Sequence, residues 1–327
     1  MIDVNGARFD SASDAGHYES WFQRANHPTE KRAFWIRYTI FSPKGRPSDS
    51  VGELWAIYFD GDQIVAVKEV FPIADCSFAP RGLNVKIASA TLDGGELEGR
   101  CLHDANVIDW SLKYASNSAP LLLFDEKLYS APLPKAKALV GSPLATYTGH
   151  LAINGVRVAI DGWVGSQNHN WGSKHTDEYA WGQVAGFDEA PESFLELSTA
   201  RIHLGPFKTP WMTPLVLRVD GRELRFSALL RAARNRGAYS TETLRWSFAA
   251  KQGSDEVSGT IYAERGDFVG LPYDNPPGGR KTCLNSKVAC CDLLVRTGGN
   301  ERRLTSKRAA FEILTERTDH GIPVLDA

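Results

Sequence analysis

Apolar and polar positions alternate with a period of two along most of the chain. Phe34, Ile36, Tyr38 and Ile40 fall on one side, and Trp35, Arg37 and Thr39 on the other, which predicts a strand with two unlike faces. Segments 51–59 and 63–71 flank Asp60-Gly61-Asp62, a turn suited to positive φ, and predict a hairpin. A second hairpin is predicted over 85–91 and 96–101, turning at Asp93-Gly94-Gly95. Ile108, Trp110, Leu112 and Tyr114 mark the next strand. The texture changes after residue 115, where a small polar stretch is followed by Pro132, Pro134 and Pro143. Hairpins then resume over 150–160, turning at Asn154-Gly155, and over 215–229, turning at Asp220-Gly221. Strands are expected at 256–264, 288–296 and 303–314, and helices only at 14–22 and 306–311.

Short strands joined by tight glycine turns at intervals of about 8–12 residues predict sandwiches or barrels. The proline-rich break divides the chain into an expected N-terminal unit, 1–135, and a C-terminal unit, 136–327. A faint echo accompanies that division. Cys101-Leu102-His103 followed by Asp109 is matched by Cys283-Leu284-Asn285 followed by Asp292, a hint of duplication. A small barrel encloses room for one apolar ligand.

Composition sharpens this picture. Nine Trp, fifteen Phe and ten Tyr against two Met make the chain rich in aromatics, the side chains that line apolar pockets. A formal charge of −2 argues against nucleic acid as a partner, and the short basic runs at 231–236 and 302–308 are read as solvated loops. The N-terminus lacks the basic start and apolar run of a signal peptide, and no apolar run approaches the ~18 residues of a membrane span. A cytoplasmic location is therefore expected, with at most peripheral membrane contact for access to a hydrophobic substrate. Five cysteines, an odd count without CxxC spacing, point to neither a disulfide framework nor a zinc site.

Gln167-Asn168-His169-Asn170-Trp171-Gly172 is the densest polar and aromatic cluster. Asparagines can hold a turn by bonding local backbone, and a histidine can serve structure or chemistry. Ser166 sits in no G-x-S-x-G frame. His169 and His175 lack metal-ligand spacing, and no glycine pair forms GxGxxG before a helix. No metal, nucleotide or other cofactor is expected. Segment 271–286, with three prolines and two glycines, reads first as a rigid surface loop; the other reading has it close over a barrel mouth, where Tyr273, Asn285 and Ser286 would offer hydrogen bonds to a ligand.

The order Gly149-His-Leu-Ala-Ile-Asn154-Gly155, Gly162-Trp163, His169-Asn170-Trp171-Gly172, Tyr179-Ala-Trp181-Gly182-Gln183 and Phe187-Asp188 resembles the bacterial carotenoid 1,2-hydratase (hydroxyneurosporene synthase) group. That group shares an HNWG-type motif and a downstream Trp with tocopherol cyclases; kievitone-type hydratases and lipocalin-like Diels–Alderases are more distant members. Phe34–Tyr38 and Asp109–Tyr114 agree more loosely. The resemblance implies an all-β fold of two lipocalin-like antiparallel barrels in one chain, acting on a hydrophobic, unsaturated small molecule. It also implies roles for His169 and Trp171. For the family's catalytic aspartate the nearest position is Glu196 in Ser193-Phe-Leu-Glu-Leu-Ser198, a departure in residue type, and the tyrosine beside it is absent.

A cofactor-independent hydratase, cyclase or isomerase working by proton transfer is the expectation that follows. A carboxyl buried in an apolar pocket has a raised pKa and can serve as the acid. Glu196 is the candidate, with Asp188 and Glu192 as rivals. Trp163, Trp171, Trp181 or Trp211 would stabilise a cation by about 0.5–2 kcal/mol each. His169 would orient a water or take back a proton, and Asn170 would contact the substrate. Two other readings stay open: a carrier that leaves a lipophilic ligand unchanged, and a pericyclase that needs shape and a hydrogen-bond donor.

Overall fold

The alternation becomes strand almost everywhere in the computed structural model, which describes residues 3–204 and 207–326. A 12-stranded antiparallel sheet is built from β1 (His17–Asn26), β2 (Arg32–Ser42), β3 (Val51–Asp60), β4 (Gln63–Pro72), β5 (Cys76–Phe78), β6 (Asn84–Ile87), β7 (Ala90–Asp93), β8 (Glu96–His103), β9 (Asn106–Ala115), β10 (Leu121–Leu122), β11 (Ala136–Ile153) and β12 (Val156–Gly172). Its order is β4-β3-β2-β1-β12-β11-β9-β8-β7-β6-β5, with β10 added beside β11. β4 folds back toward β8, where the Glu69 carboxylate accepts the Leu102 N–H at 2.8 Å, so the sheet nearly closes.

The second, 10-stranded sheet comprises β13 (Glu178–Phe187) and β14 (Ala190–Arg201), then, beyond the ribbon of β15 (His203–Leu204) and β16 (Phe207–Lys208), β17 (Leu215–Val219), β18 (Arg222–Arg225), β19 (Arg236–Ser240), β20 (Arg245–Gln252), β21 (Asp255–Tyr262), β22 (Val269–Asp274), β23 (Arg280–Thr297) and β24 (Asn300–Thr315). Its order is β18-β17-β14-β13-β24-β23-β21-β20-β19, with β22 beside β23. Between its outer strands lie the short helix α1 (Leu229–Ala232) and Asn235, whose amide donates to the carbonyls of Thr213 and Phe226. The fold is thus all-β, with two lipocalin-like sheets, and no helix among the described residues is long and apolar enough to cross a membrane.

Several expectations need correction. The division between sheets falls within 173–177 rather than at 135, because β11 and β12 complete the first barrel by pairing with β9 and β1. Residues 14–22 are not helical: from His17 onward they form β1, whose two buried faces mix polar and apolar residues and blur the period of two. Residues 306–311 lie inside β24. The expected strand 85–91 is split into β6 and β7 at Ala88, which has a φ of 51°.

Both barrel interiors are filled. Trp21, Phe34, Tyr38, Trp110, Tyr147 and Trp163 occupy the first, and Leu195, Leu197, Trp246, Phe248 and Phe311 the second. The outer faces of the two sheets pack on each other. Trp35 and Trp55 meet Leu271 and Cys283, while Leu121 and Val140 meet Phe194 and Val216. Strands at this seam are therefore buried on both sides. That explains why the faces of β2 separate as read, yet neither faces water.

Close approach of backbones decides one position. Gly165 pairs with Ala25 and Ala145, and a Cβ there would collide with the Arg24 carbonyl and stand 2.6 Å from the Ala25 Cα. Gly165→Ala is expected to destabilise the protein by about 3 kcal/mol or more. Gly94→Ala, which meets open space, should change stability by no more than about 0.5 kcal/mol. Denaturant midpoints of the two variants test the contrast.

Candidate active site

A cavity of about 350 Å3 lies in the seam between the sheets. Tyr18, Phe22, Trp35 and Arg37 come to it from β1 and β2, and Asn168 and Asn170 from β12. Tyr179 and Trp181 come from β13, and Glu196 and Ser198 from β14. Leu123, Phe124, Leu128 and Leu133 on one side, with Met212 and Leu229 on the other, make much of its wall apolar.

Glu196 is 2% exposed and faces this cavity. It pairs in register with Gln183, and Trp181 lies on the same face of β13. Trp181 Nε1 donates to Glu196 Oε1 at 2.7 Å, and Gln183 Nε2 donates to Oε2 at 2.9 Å. Burial raises the carboxyl pKa; the two N–H donors and the Arg24 charge pull it down, and the balance lies at about 7. Acid and carboxylate forms are both accessible near neutrality. The rivals lie elsewhere: Asp188 pairs with Arg308 at 2.6 Å, and Glu192 is exposed.

Gln183 was not foreseen, and it organises the site. Its Oε1 accepts from Arg24 Nε at 2.7 Å and from Ser166 Oγ at 2.6 Å, while Nε2 also donates to Asn168 Oδ1 at 2.8 Å. Arg24 is fully buried, and burial lowers its pKa to about 10, so it remains charged at neutrality. A second buried cluster adjoins the cavity through Glu312, which lies on its wall. Lys287 Nζ meets Glu312 Oε1 at 2.8 Å and Asn285 Oδ1 at 2.6 Å, and burial lowers its pKa. Asn285, expected to touch a ligand, is thus engaged with Glu312 and Lys287 and is not on the cavity wall.

The motif of β12 divides by parity. Asn168 and Asn170 face the seam, whereas Gln167, His169 and Trp171 point the other way, toward the N-terminal segment. Gln167 Nε2 donates to Asn5 Oδ1 at 3.0 Å, and Arg8 lies 4.4 Å over the Trp171 ring. His169 borders the cavity, but its Nδ1 meets the Val4 carbonyl and its Nε2 meets Glu19 Oε1, both at 2.8 Å. Trp21 and Trp171 pack on the ring at 4.8 and 4.7 Å. No ring nitrogen is left to orient a water or take a proton, which corrects the role expected of His169. Trp171 does not line the cavity; Asn168 does, and so does Asn170, the residue expected to contact the substrate.

Glu19, also unforeseen, joins this latch. It accepts the Arg8 N–H at 2.9 Å and faces His17 Nε2 at 2.9 Å as well as His169. Burial opposes its charge, yet the bonds from His169 and His17 prevail and take its pKa down to about 2. Burial lowers the pKa of His169 and outweighs the bond and charge of Glu19, which raise it.

Other expected site residues separate cleanly. Trp163 belongs to the first core, stacked 6.0 Å from Phe34, and Trp211 packs edge-on against Tyr239 beneath Arg201; neither lines the cavity. Tyr273 does line it, 5.8 Å from His175 and 4.6 Å from Arg37. His175 is held neutral, its pKa pushed down to about 3 by burial and then by the charge of Arg37. Segment 271–286 does not cap a barrel mouth: β22 pairs with the start of β23 and presents Tyr273 to the seam.

Fold and cavity together define a chain of two lipocalin-like sheets holding a small-molecule-sized space between them. Solved structures share this architecture. One is a protein assigned as an AttH from Nitrosomonas europaea, 14% identical with a TM-score of 0.58, covering 96% of this chain and 98% of that one. Kievitone hydratase from Nectria haematococca is 12% identical with a TM-score of 0.55, covering 92% and 89%. CghA is 12% identical with a TM-score of 0.56, covering 98% and 96%. No protein-family model and no curated protein matches the sequence.

The latch has a pH signature. The folded-state pKa of Glu19 lies below its ordinary 4.5, so the hydrogen bonds to its carboxylate stabilise the fold above about pH 4.5 and are lost as pH falls toward 2. Glu19→Gln should cost about 3–5 kcal/mol at pH 7, and the deficit should shrink by pH 3. Denaturant unfolding at both pH values measures it; a deficit unchanged by pH would leave Glu19 a packing role alone.

Proposed function

We propose that the chain is a cofactor-independent hydratase, cyclase or isomerase, with Glu196 as the proton donor and acceptor at the inter-sheet cavity. The observation that carries this reading is a buried carboxyl, poised at about pH 7 by two N–H donors, on the wall of a largely apolar cavity. Below that pH Glu196 is neutral and can deliver its proton to a double bond. A carboxylic acid of this strength protonates carbon only where substituents stabilise the resulting cation, so the substrate's alkene is conjugated or electron-rich. The faces of Trp181 and Phe22, rings 5.9 Å apart, border the place where that cation would form. Addition of water and return of the proton to Glu196 completes a hydration. Transfer of a neighbouring C–H proton to the Glu196 carboxylate completes an isomerisation, and attack on the cation by an internal hydroxyl that gives its proton to Glu196 completes a cyclisation.

The shared fold of kievitone hydratase supports the hydratase form. The resemblance to carotenoid 1,2-hydratases supports the same reaction class, with Glu196 standing for the aspartate. Carotenoid hydration itself would further require the His–Trp pair to reach the substrate. His169 serves instead as a latch, and the acid–base work falls to Glu196.

Incubation of the protein with conjugated apolar compounds in D2O, followed by mass spectrometry, is the direct test. Gain of one water, or deuterium in an unchanged skeleton, is expected. Recovery of every bound compound unaltered would make the protein a carrier. With a substrate in hand, kcat/KM should fall about tenfold per pH unit above about 7, as the acid form is lost. Glu196→Gln should lower kcat by about 10²–10⁴; full turnover in that variant would remove Glu196 from the mechanism.

A further inference from the structure

Arg37 is a cation on the cavity wall that has no carboxylate within ion-pair distance among the described residues. It is 4% exposed and lines the cavity. Its Nη2 donates to Ser20 Oγ at 2.6 Å, and its guanidinium lies 4.6 Å from the Tyr273 ring and 5.9 Å from Trp35. Its Nε is buried without a hydrogen-bond partner. Among the described residues no carboxylate forms an ion pair with it. Glu53 and Glu312, the acids whose charge reaches Arg37, are paired with Lys68 at 3.2 Å and Lys287 at 2.8 Å. A guanidinium does not deprotonate in a protein; Glu53 and Glu312 favour its charge from a distance, but its fork meets no carboxylate and its Nε no acceptor. Asn170, opposite Ser20 in register and also on the wall, repeats the pattern: its Oδ1 is buried and unpartnered.

We propose that this end of the cavity binds an anionic oxygen of the substrate, a carboxylate or an enolate. The occupant is then an organic acid with an apolar, unsaturated body. Planar, fork-shaped guanidinium suits such an oxygen pair, and Asn170 Oδ1 accepts from a hydroxyl beside it. Lys287 Nζ stands 5.6 Å from both the Trp35 and Trp181 rings, so the two indoles flank one point. The route from Arg37 runs past Trp35 to Trp181, whose N–H holds Glu196. An acid head anchored at Arg37 therefore lays the body across the indoles and selects which double bond reaches Glu196. This last step rests on the role proposed for Glu196; the anion site does not.

Two fluorescent probes with one ring system test the anion site: 8-anilinonaphthalene-1-sulfonate, which is charged, and N-phenyl-1-naphthylamine, which is neutral. The full chain should bind the anion about tenfold or more tightly than its neutral counterpart, in mutual competition. Arg37→Met should bring that ratio to about one while neutral-probe affinity stays within about twofold, which also reports that the cavity is intact. Lys137→Met should keep the wild-type ratio; Lys137 is a wall cation already tied to the Pro134 carbonyl at 2.7 Å. Equal affinities in the wild type, absence of binding by both probes, or a preference that survives in Arg37→Met would overturn the inference. Should Arg37→Met lose its fold, the wild-type ratio and Arg37→Lys, expected to keep part of the preference, decide the matter. Turnover that survives Glu196→Gln while Arg37 still governs anion preference would defeat the proton-transfer reading and leave this one standing.

Discussion

The Gln183 carboxamide makes four hydrogen bonds, three of them across the seam, and the chemistry of the cavity depends on them. Its oxygen accepts from Arg24 and Ser166 of the first sheet, and its nitrogen donates to Asn168 of the first and Glu196 of the second. With two donors at one end and two acceptors at the other, the amide has one orientation that satisfies every partner. That orientation makes Glu196 an acceptor and, with Trp181, stabilises its charged form against burial. In a low-dielectric seam each of these bonds is strengthened, and each orphaned partner would be costly. The near-neutral pKa of Glu196 is a balance set by the contact between two sheets.

Placement of the cavity follows from how the barrels are filled. A barrel of this type can hold a ligand inside, but the first is packed with Trp21, Trp110, Trp163 and their neighbours, and the second with Trp246, Phe248 and Phe311. The aromatic richness that suggested a lined pocket goes largely into these cores. Space is left instead where two convex outer faces meet and cannot match along their whole length. Segment 123–139 and residues around Met212 and Leu229 close the sides of the gap. Polar groups that a solvent-facing strand would present to water are there obliged to find partners. On the cavity wall Trp35 Nε1, Arg37 Nε, Asn170 Oδ1 and Arg201 Nε are buried without a hydrogen-bond partner.

The sequence made the all-β class legible because most strands end in turns that require unusual backbone: Asn154-Gly155 and Asp220-Gly221 turn where they were read. Glu196 was reached only as the position nearest the aspartate of the resembling group; its burial follows from the place of β14 at the seam, which no local pattern announces. β1 was misread because periodicity distinguishes a wet face from a dry one, and a strand buried on both faces has neither. His17, Glu19, Ser20, Gln23 and Arg24 look like the polar side of a helix until their partners are known. Those partners, Gln183 for Arg24 and His169 for Glu19, are 159 and 150 residues away, and no local pattern can announce them.

The stretch Gln167–Trp171 shows the same limit most sharply. Read as a linear motif, its histidine and tryptophan are the chemical residues and its asparagines the scaffold. A strand sends successive side chains to opposite faces, so the four cannot share one compartment. His169 and Trp171 go to the end of the first barrel, where Val4, Arg8 and Glu19 hold them. Asn168 and Asn170 go to the seam, where one orders Gln183 and the other is left open. One strand thus clamps the N-terminal segment with one face and shapes the cavity with the other. Loosening the latch would shift the backbone that carries Asn168, and through Gln183 would reach the pKa of Glu196. A loss of activity on substituting His169 is therefore what either role would produce. The pH dependence of the remaining activity separates them: a shifted profile reports a displaced Glu196, whereas a uniform loss with the same profile reports fewer folded molecules.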